Sequence, residues 1–167
     1  MSKFYLIAVV VVIGDQLSKL AAVKYLSRGT IEIAPFLNLY LVFNNGAAFG
    51  FLSDAGDWAR LLFVGIAILV SFVIIMMAKR LGANDVQVLT GLMLILGGAI
   101  GNVIDRCRTS AGGVCQGYVV DFIDFHYQNW HWPAFNVADS SITIGAVLLV
   151  LDAIGLGFSK RYRQPRL

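Results

Sequence analysis

From Leu61 to Ala78 the chain runs for eighteen residues with one polar side chain, Ser71. As an α-helix such a run is about 27 Å long, close to the thickness of a bilayer's hydrocarbon core. Three more apolar stretches accompany it. The first goes from Phe4 to about Leu26 and is interrupted by Asp15, Gln16, Ser18 and Lys19. The next, Val88 to Ile104, carries Thr90 and Asn102, and the last, from about Val137 to Phe158, carries Asp139 and Asp152. Composition agrees: 58% of residues are hydrophobic and 14% charged, where soluble domains have about 45–50% and roughly 25%. The expected fold is an all-α membrane protein of four transmembrane helices. Residues 1–167 read as a single domain, without internal repeats or a separate soluble unit. The net charge of +3 is small, and no basic run is interleaved with aromatics, which argues against nucleic acid as a partner.

The first stretch also has the outline of a secretory leader, with Lys3 before an apolar core and Ala21-Ala22 after it. Asp15 and Lys19 stand where that core should meet a cleavage site, so an uncleaved helix is the better reading. Four helices put both termini on one side. That side holds Lys3, Lys79, Arg80, Lys160, Arg161, Arg163 and Arg166, with Asp85 its one loop acid. The opposite loops hold Arg28 and Arg108 against Glu32, Asp54, Asp57, Asp121 and Asp124. By the positive-inside rule both termini face the cytoplasm and the two long loops face outward.

The outer loops have strand-like patterning. Leu37, Leu39, Leu41 and Phe43 alternate with Asn38, Tyr40 and Val42, ahead of an Asn44-Asn45-Gly46 turn. The second loop holds a matching segment, Gly117 to Ile123, and ends in the aromatic run Trp130 to Phe135. A small sheet at the outer surface is expected, with aromatics at the membrane boundary.

Polar groups within apolar spans are functional candidates. Asp15 and Lys19 lie roughly 18 and 24 Å above Lys3 by helical rise, in the outer half. Asn102, Asp105 and Arg106 close the third stretch and Asp139 opens the fourth, so polar groups of three helices meet at one level. Asp15 and Lys19 are spaced i, i+4, as an ion pair or as groups that touch substrate. Asp152, roughly 20 Å deeper than Asp139, reads as an inner-boundary acid paired with a C-terminal base. Gly97 and Gly101 read as a helix-packing pair. Cys107 and Cys115 share the outer loop as a disulfide or as two thiols, and no zinc spacing is present. His126 and His131 read as surface residues. Neither H-E-x-x-H nor G-x-S-x-G occurs. The remaining chemistry lies with Asp105, Asp121, Asp124 and Asp139. Two carboxylates sharing a proton can activate water for amide hydrolysis, but spacing alone leaves open which two. Asp139, opening a helix, suits the ionised member.

The stretches Asp15-Gln16-Leu17-Ser18-Lys19, Asn44 to Phe49, Gly97 to Arg106, Val119-Val120-Asp121-Phe122 and Pro133 to Ser140 resemble, in order, the motifs of bacterial lipoprotein signal peptidases. That family, signal peptidase II, consists of aspartyl intramembrane endopeptidases. The resemblance implies catalytic aspartates at Asp121 and Asp139. It implies pocket or substrate-binding roles for Asp15, Lys19, Asn44, Gly46, Asn102, Asp105, Arg106 and Asn136. It further implies four transmembrane helices with a small extracytoplasmic β-cradle, in the inner membrane. The implied reaction is removal of the signal peptide from prolipoproteins, with the cut just before a diacylglyceryl-modified cysteine. The implied partners are those precursors and membrane lipids, the enzyme acting as a monomer without cofactor. Thr109–Gln116, with Cys115, departs from the family as an added piece of loop. Two other readings compete. A small transporter would need acids at mid-membrane and little outer structure, and a membrane assembly protein would need no paired carboxylates.

Overall fold

The computed structural model describes residues 2–44, 57–108 and 117–157, leaving aside the side chains of Ser2 and Asp57. Its elements run α1 (Ser2–Leu26), β1 (Ile31–Ala34), β2 (Leu37–Asn44), α2 (Asp57–Arg80), α3 (Val86–Arg106), β3 (Val119–Tyr127), β4 (Trp130–His131) and α4 (Val137–Ala153). The fold is mostly helical, with a small antiparallel sheet. Among the described residues three helices, α1, α2 and α3, are long and apolar enough to cross a membrane. The fourth apolar stretch forms a helix of 17 residues. It stops short of Phe158 because Gly155 adopts φ +81. Gly155 N then donates to Asp152 O and Leu156 N to Leu151 O, the Schellman closure of a helix end.

α3 is the central helix. In its most apolar window 56% is buried, against 22% for α1 and 17% for α2. The outward faces of α1, α2 and α4 expose Leu6, Val10, Leu17, Leu61, Leu69, Phe72, Val147 and Val150. An apolar surface of that extent suits lipid and not water. One core cluster joins Phe4 and Ala8 of α1, Ile74 and Ala78 of α2, and Leu89, Leu92, Met93 and Leu96 of α3. Glycines permit the closest helix contacts. A Cβ on Gly97 would lie 2.9 Å from Ala8 O of α1. One on Gly98 would run into Ala138 O of α4, and one on Gly101 would lie 2.6 Å from Asp15 Oδ2.

The sheet caps the opposite end of the bundle in the order β1-β2-β3-β4, all neighbours antiparallel. Both strand patterns read from the sequence form strands. β2 pairs with β3 from Leu37↔Phe125 to Asn44↔Val119, with a register shift between Leu39 and Val42. The sheet packs through Val120, Phe122, Leu39 and Leu41 onto Ala22 and Leu26 at the end of α1. β3 outruns the expected Ile123 and turns at Gln128, in the left-handed region at φ 53, into β4. The chain then returns alongside β3: Trp132 N donates to Phe125 O, and Phe135 N to Ile123 O. This return delivers the start of α4 beside the start of β3.

Candidate active site

That hairpin brings together two aspartates eighteen residues apart in the chain. Asp121 on β3 and Asp139 in the first turn of α4 line one cavity of about 590 Å³. Asn44, Asn102, Arg106 and the run Trp132 to Phe135 complete much of its wall. Asn136 stands behind it. As N-cap of α4 its Oδ1 accepts from Asp139 N at 2.9 Å, and Asp139 Oδ2 accepts from Asn136 N at 3.3 Å, a reciprocal capping box. Asn136 Nδ2 donates to Asp121 Oδ1 at 2.6 Å. Asn44 Nδ2 reaches Asp121 Oδ2 at 2.9 Å, and Asn102 Nδ2 reaches Asp139 Oδ1 at 2.8 Å. Three asparagines thus orient the two carboxylates. Arg106 lies over the Phe63 ring, 5.3 Å from its centroid, and adds positive charge to the cavity edge.

Burial pushes the Asp121 carboxyl up to about 6, and the neighbouring charge of Asp139 adds to the effect. The hydrogen bonds from Asn44 and Asn136 oppose the shift without cancelling it. A carboxyl with such a value holds or releases a proton near neutrality.

Asp15, Lys19 and Asp105 lie beneath the cavity and do not line it. All three are buried, Lys19 and Asp15 completely. Lys19 Nζ has three N–H donors and three acceptors: Asp15 Oδ2 and Asp105 Oδ2 at 2.8 Å, and Asn102 Oδ1 at 2.9 Å. Of the two readings of the i, i+4 spacing, the ion pair is present, and neither residue reaches a surface that substrate could touch. Through Asn102 the buried triad connects to Asp139. Asp15 Oδ1 also accepts from Ala138 N at 2.9 Å, tying α1 to the start of α4. Gly46 and Cys115 lie outside the described residues, as do the expected Asn44-Asn45-Gly46 turn beyond Asn44 and one half of the Cys107–Cys115 pair. So do the C-terminal bases expected to pair with Asp152.

Sequence reasoning missed Gln16, whose Nε2 donates to Gly101 O and Asp105 Oδ1, both at 3.1 Å. It also missed the partnership of Asp124 with His131, at 2.9 Å. Its place two residues after Phe122 and four after Val120, on the strand face that packs against α1, could have pointed to Asp124 as an interior side chain. Among the described residues no group of three or more His, Cys, Asp and Glu could hold a metal ion.

A family profile described as "Signal peptidase (SPase) II" matches residues 7–155. The chain belongs to the signal peptidase II family. It is 49% identical over 149 residues to the lipoprotein signal peptidase of Paraburkholderia phytofirmans, covering 89% of this chain and 82% of the relative. The lipoprotein signal peptidase of Paraburkholderia phymatum is 50% identical over 149 residues, covering 89% and 85%. Among solved structures, a bacterial membrane enzyme determined by the in meso method at 2.3 Å resolution aligns with a TM-score of 0.79 at 30% identity, over 100% of this chain and 94% of that one. Another, at 1.9 Å resolution, aligns with a TM-score of 0.74 at 33% identity, over 92% and 93%. The signal peptidase II match agrees with a membrane-type helical fold and with peptidase chemistry.

Proposed function

We propose that this signal peptidase II family member is an aspartic endopeptidase with Asp121 and Asp139 as its catalytic pair. The chain removes the signal peptide from prolipoproteins, as its relatives' name describes. The finer reading is that its precursors carry a diacylglyceryl group on cysteine and that the cut falls just before that residue. The observation that carries the aspartic reading is the shared cavity with its Asn136 bridge between the two carboxylates.

In the proposed reaction a water sits between the carboxylates. Asp139, supplied with hydrogen bonds from Asn102 and Asn136 at a helix N-terminus, carries the negative charge. It takes a proton from the water, whose oxygen attacks the scissile carbonyl carbon. Asp121 gives its proton to the carbonyl oxygen. In the collapse the proton held by Asp139 passes to the departing amine and a hydroxyl proton returns to Asp121, which restores the pair. Arg106 and Asn44 orient substrate and Asp121 respectively, while Asp15, Lys19 and Asp105 fix the helix ends. Gly46 belongs to the pocket on the family pattern.

The same reading makes residues 1–167 one domain and α4 a fourth membrane helix. The four-stranded sheet is then the outer cradle, in the inner membrane of a bacterium with both termini cytoplasmic. Apolar helix faces support a lipid environment, and the enzyme acts as a monomer. A purified sample should cleave a diacylglyceryl-modified precursor before its cysteine and leave the unmodified precursor intact. Equal cleavage of both would remove the lipid from the account.

A further inference from the structure

The return segment from β4 to α4 supplies the cavity wall Trp132 to Phe135. Its backbone is bonded to β3 at Trp132 and Phe135. Pro133 between them has no N–H to offer. β4 is two residues long, and both of its side chains are exposed. Such a strand has little apolar burial to hold it in place.

Beyond β4 the Phe135 ring stacks on Phe125 of β3, 5.9 Å between centroids, and at β4 itself a polar side-chain contact joins the two strands. Asp124 on β3 is completely buried, and His131 of β4 sits on its carboxylate. His131 Nδ1 lies 2.9 Å from Asp124 Oδ2 and 3.1 Å from Oδ1. Asn38 Nδ2 adds a longer bond to Oδ2 at 3.4 Å. The His131 ring is stacked on His126, the residue it pairs with in the ladder, at 5.2 Å between centroids. A charge-assisted contact to a buried carboxylate is strong and directional. It is made one residue before the wall begins.

We propose that Asp124 and His131 are a positioning pair that holds the β4–α4 segment against β3 and so sets the cavity wall against which substrate binds. The proposal rests on the cavity being the substrate site. The pair touches neither Asp121 nor Asp139. Asn136 and Asp139 keep each other through the capping box, so the catalytic carboxylates stay oriented when the wall loosens. The pair therefore acts on substrate affinity and not on the chemical step.

The test is steady-state kinetics of the full-length enzyme in detergent with a diacylglyceryl-modified precursor peptide. His131→Leu should raise KM about tenfold, the scale of one charge-assisted hydrogen bond, with kcat within about twofold of the parent. His131→Gln, which keeps a donor for Asp124, should bring KM back to within about threefold. His131→Leu also strands a buried carboxylate, so Asp124→Asn/His131→Leu is measured beside it. Its KM should stay raised, because the pin is still missing. An unchanged KM in His131→Leu, a loss confined to kcat, or a parental KM in the double variant would each overturn the proposal. Asp121→Asn is run in parallel. Normal turnover there would undo the reading of the cavity itself, whatever His131 does.

Discussion

Replacing Lys19 by Met removes one cation from a site where two carboxylates depend on it. Asp15 and Asp105 are each within 2.8 Å of Nζ, and both are buried. Losing one partner of a buried ion pair costs about 3–5 kcal/mol, because the remaining charge is left in a poor dielectric. Here neutral donors persist: Ala138 N holds Asp15 Oδ1 at 2.9 Å, and Gln16 Nε2 holds Asp105 Oδ1 at 3.1 Å. The lower end, about 3 kcal/mol, is therefore expected. For a chain of this size that corresponds to a fall in Tm of roughly 6–12 °C. Thermal unfolding of the detergent-solubilised protein, followed by circular dichroism, reads it. Lys19→Met/Asp105→Asn should recover about half of the loss, since one stranded charge is then neutral. A Tm for Lys19→Met within about 2 °C of the parent would refute the reasoning.

Three further outcomes are expected. The folded state binds a proton on Asp121 up to about pH 6 and the unfolded chain only to about 3.8, so stability falls as pH rises through that window. Removing that titration is worth about 3 kcal/mol above roughly pH 7, so Asp121→Asn should raise stability there by about 1–2 kcal/mol after about 1–2 kcal/mol is lost to one donor–donor clash with Asn44 or Asn136, and should lower it by about that clash alone below about pH 4; melting curves across pH check this. Gly98→Ala drives a methyl into Ala138 O and to 2.7 Å from Ile142 Cγ1, and should lower stability by about 1–3 kcal/mol in the same melting assay. A topology reporter near Gly82 or after Leu167 should read cytoplasmic and one near Gly112 outside; an outside signal at Gly82 would overturn the four-helix arrangement.

The helices were legible because their signal is local: uninterrupted apolar runs such as Leu61 to Ala78 have few other fates. The strands of the two loops were legible for a similar reason, since the period of two along β2 is local, and Leu39 and Leu41 of that set pack together onto the end of α1. What could not be read was pairing between distant segments. Nothing local says that Lys19 serves Asp105 as well as Asp15, because that bond spans two helices. The same holds for Asp121, Asp139 and Asn136, whose meeting depends on the hairpin at Gln128 and the return of the chain along β3. Spacing left four aspartates open, and only the motif resemblance separated Asp121 and Asp139 from Asp105 and Asp124. His131 looked like a surface residue because half of it is one: its side chain is 49% exposed while its partner Asp124 is buried.

The central claim is that two carboxylates in one cavity perform the hydrolysis. Its most direct test is cleavage of a diacylglyceryl-modified precursor by purified Asp121→Asn, Asp139→Asn and Asp124→Asn, with precursor binding measured in parallel. Asparagine keeps the shape and removes the proton chemistry. General acid–base catalysis contributes about 10²–10⁴-fold, so each of the first two variants should lose at least that much turnover while still binding precursor. Asp124→Asn, on the same strand and equally a lost negative charge, keeps an acceptor for His131 and should retain turnover within a few-fold. Near-parental turnover in Asp121→Asn or Asp139→Asn, or an equal loss in all three, would contradict the aspartyl pair.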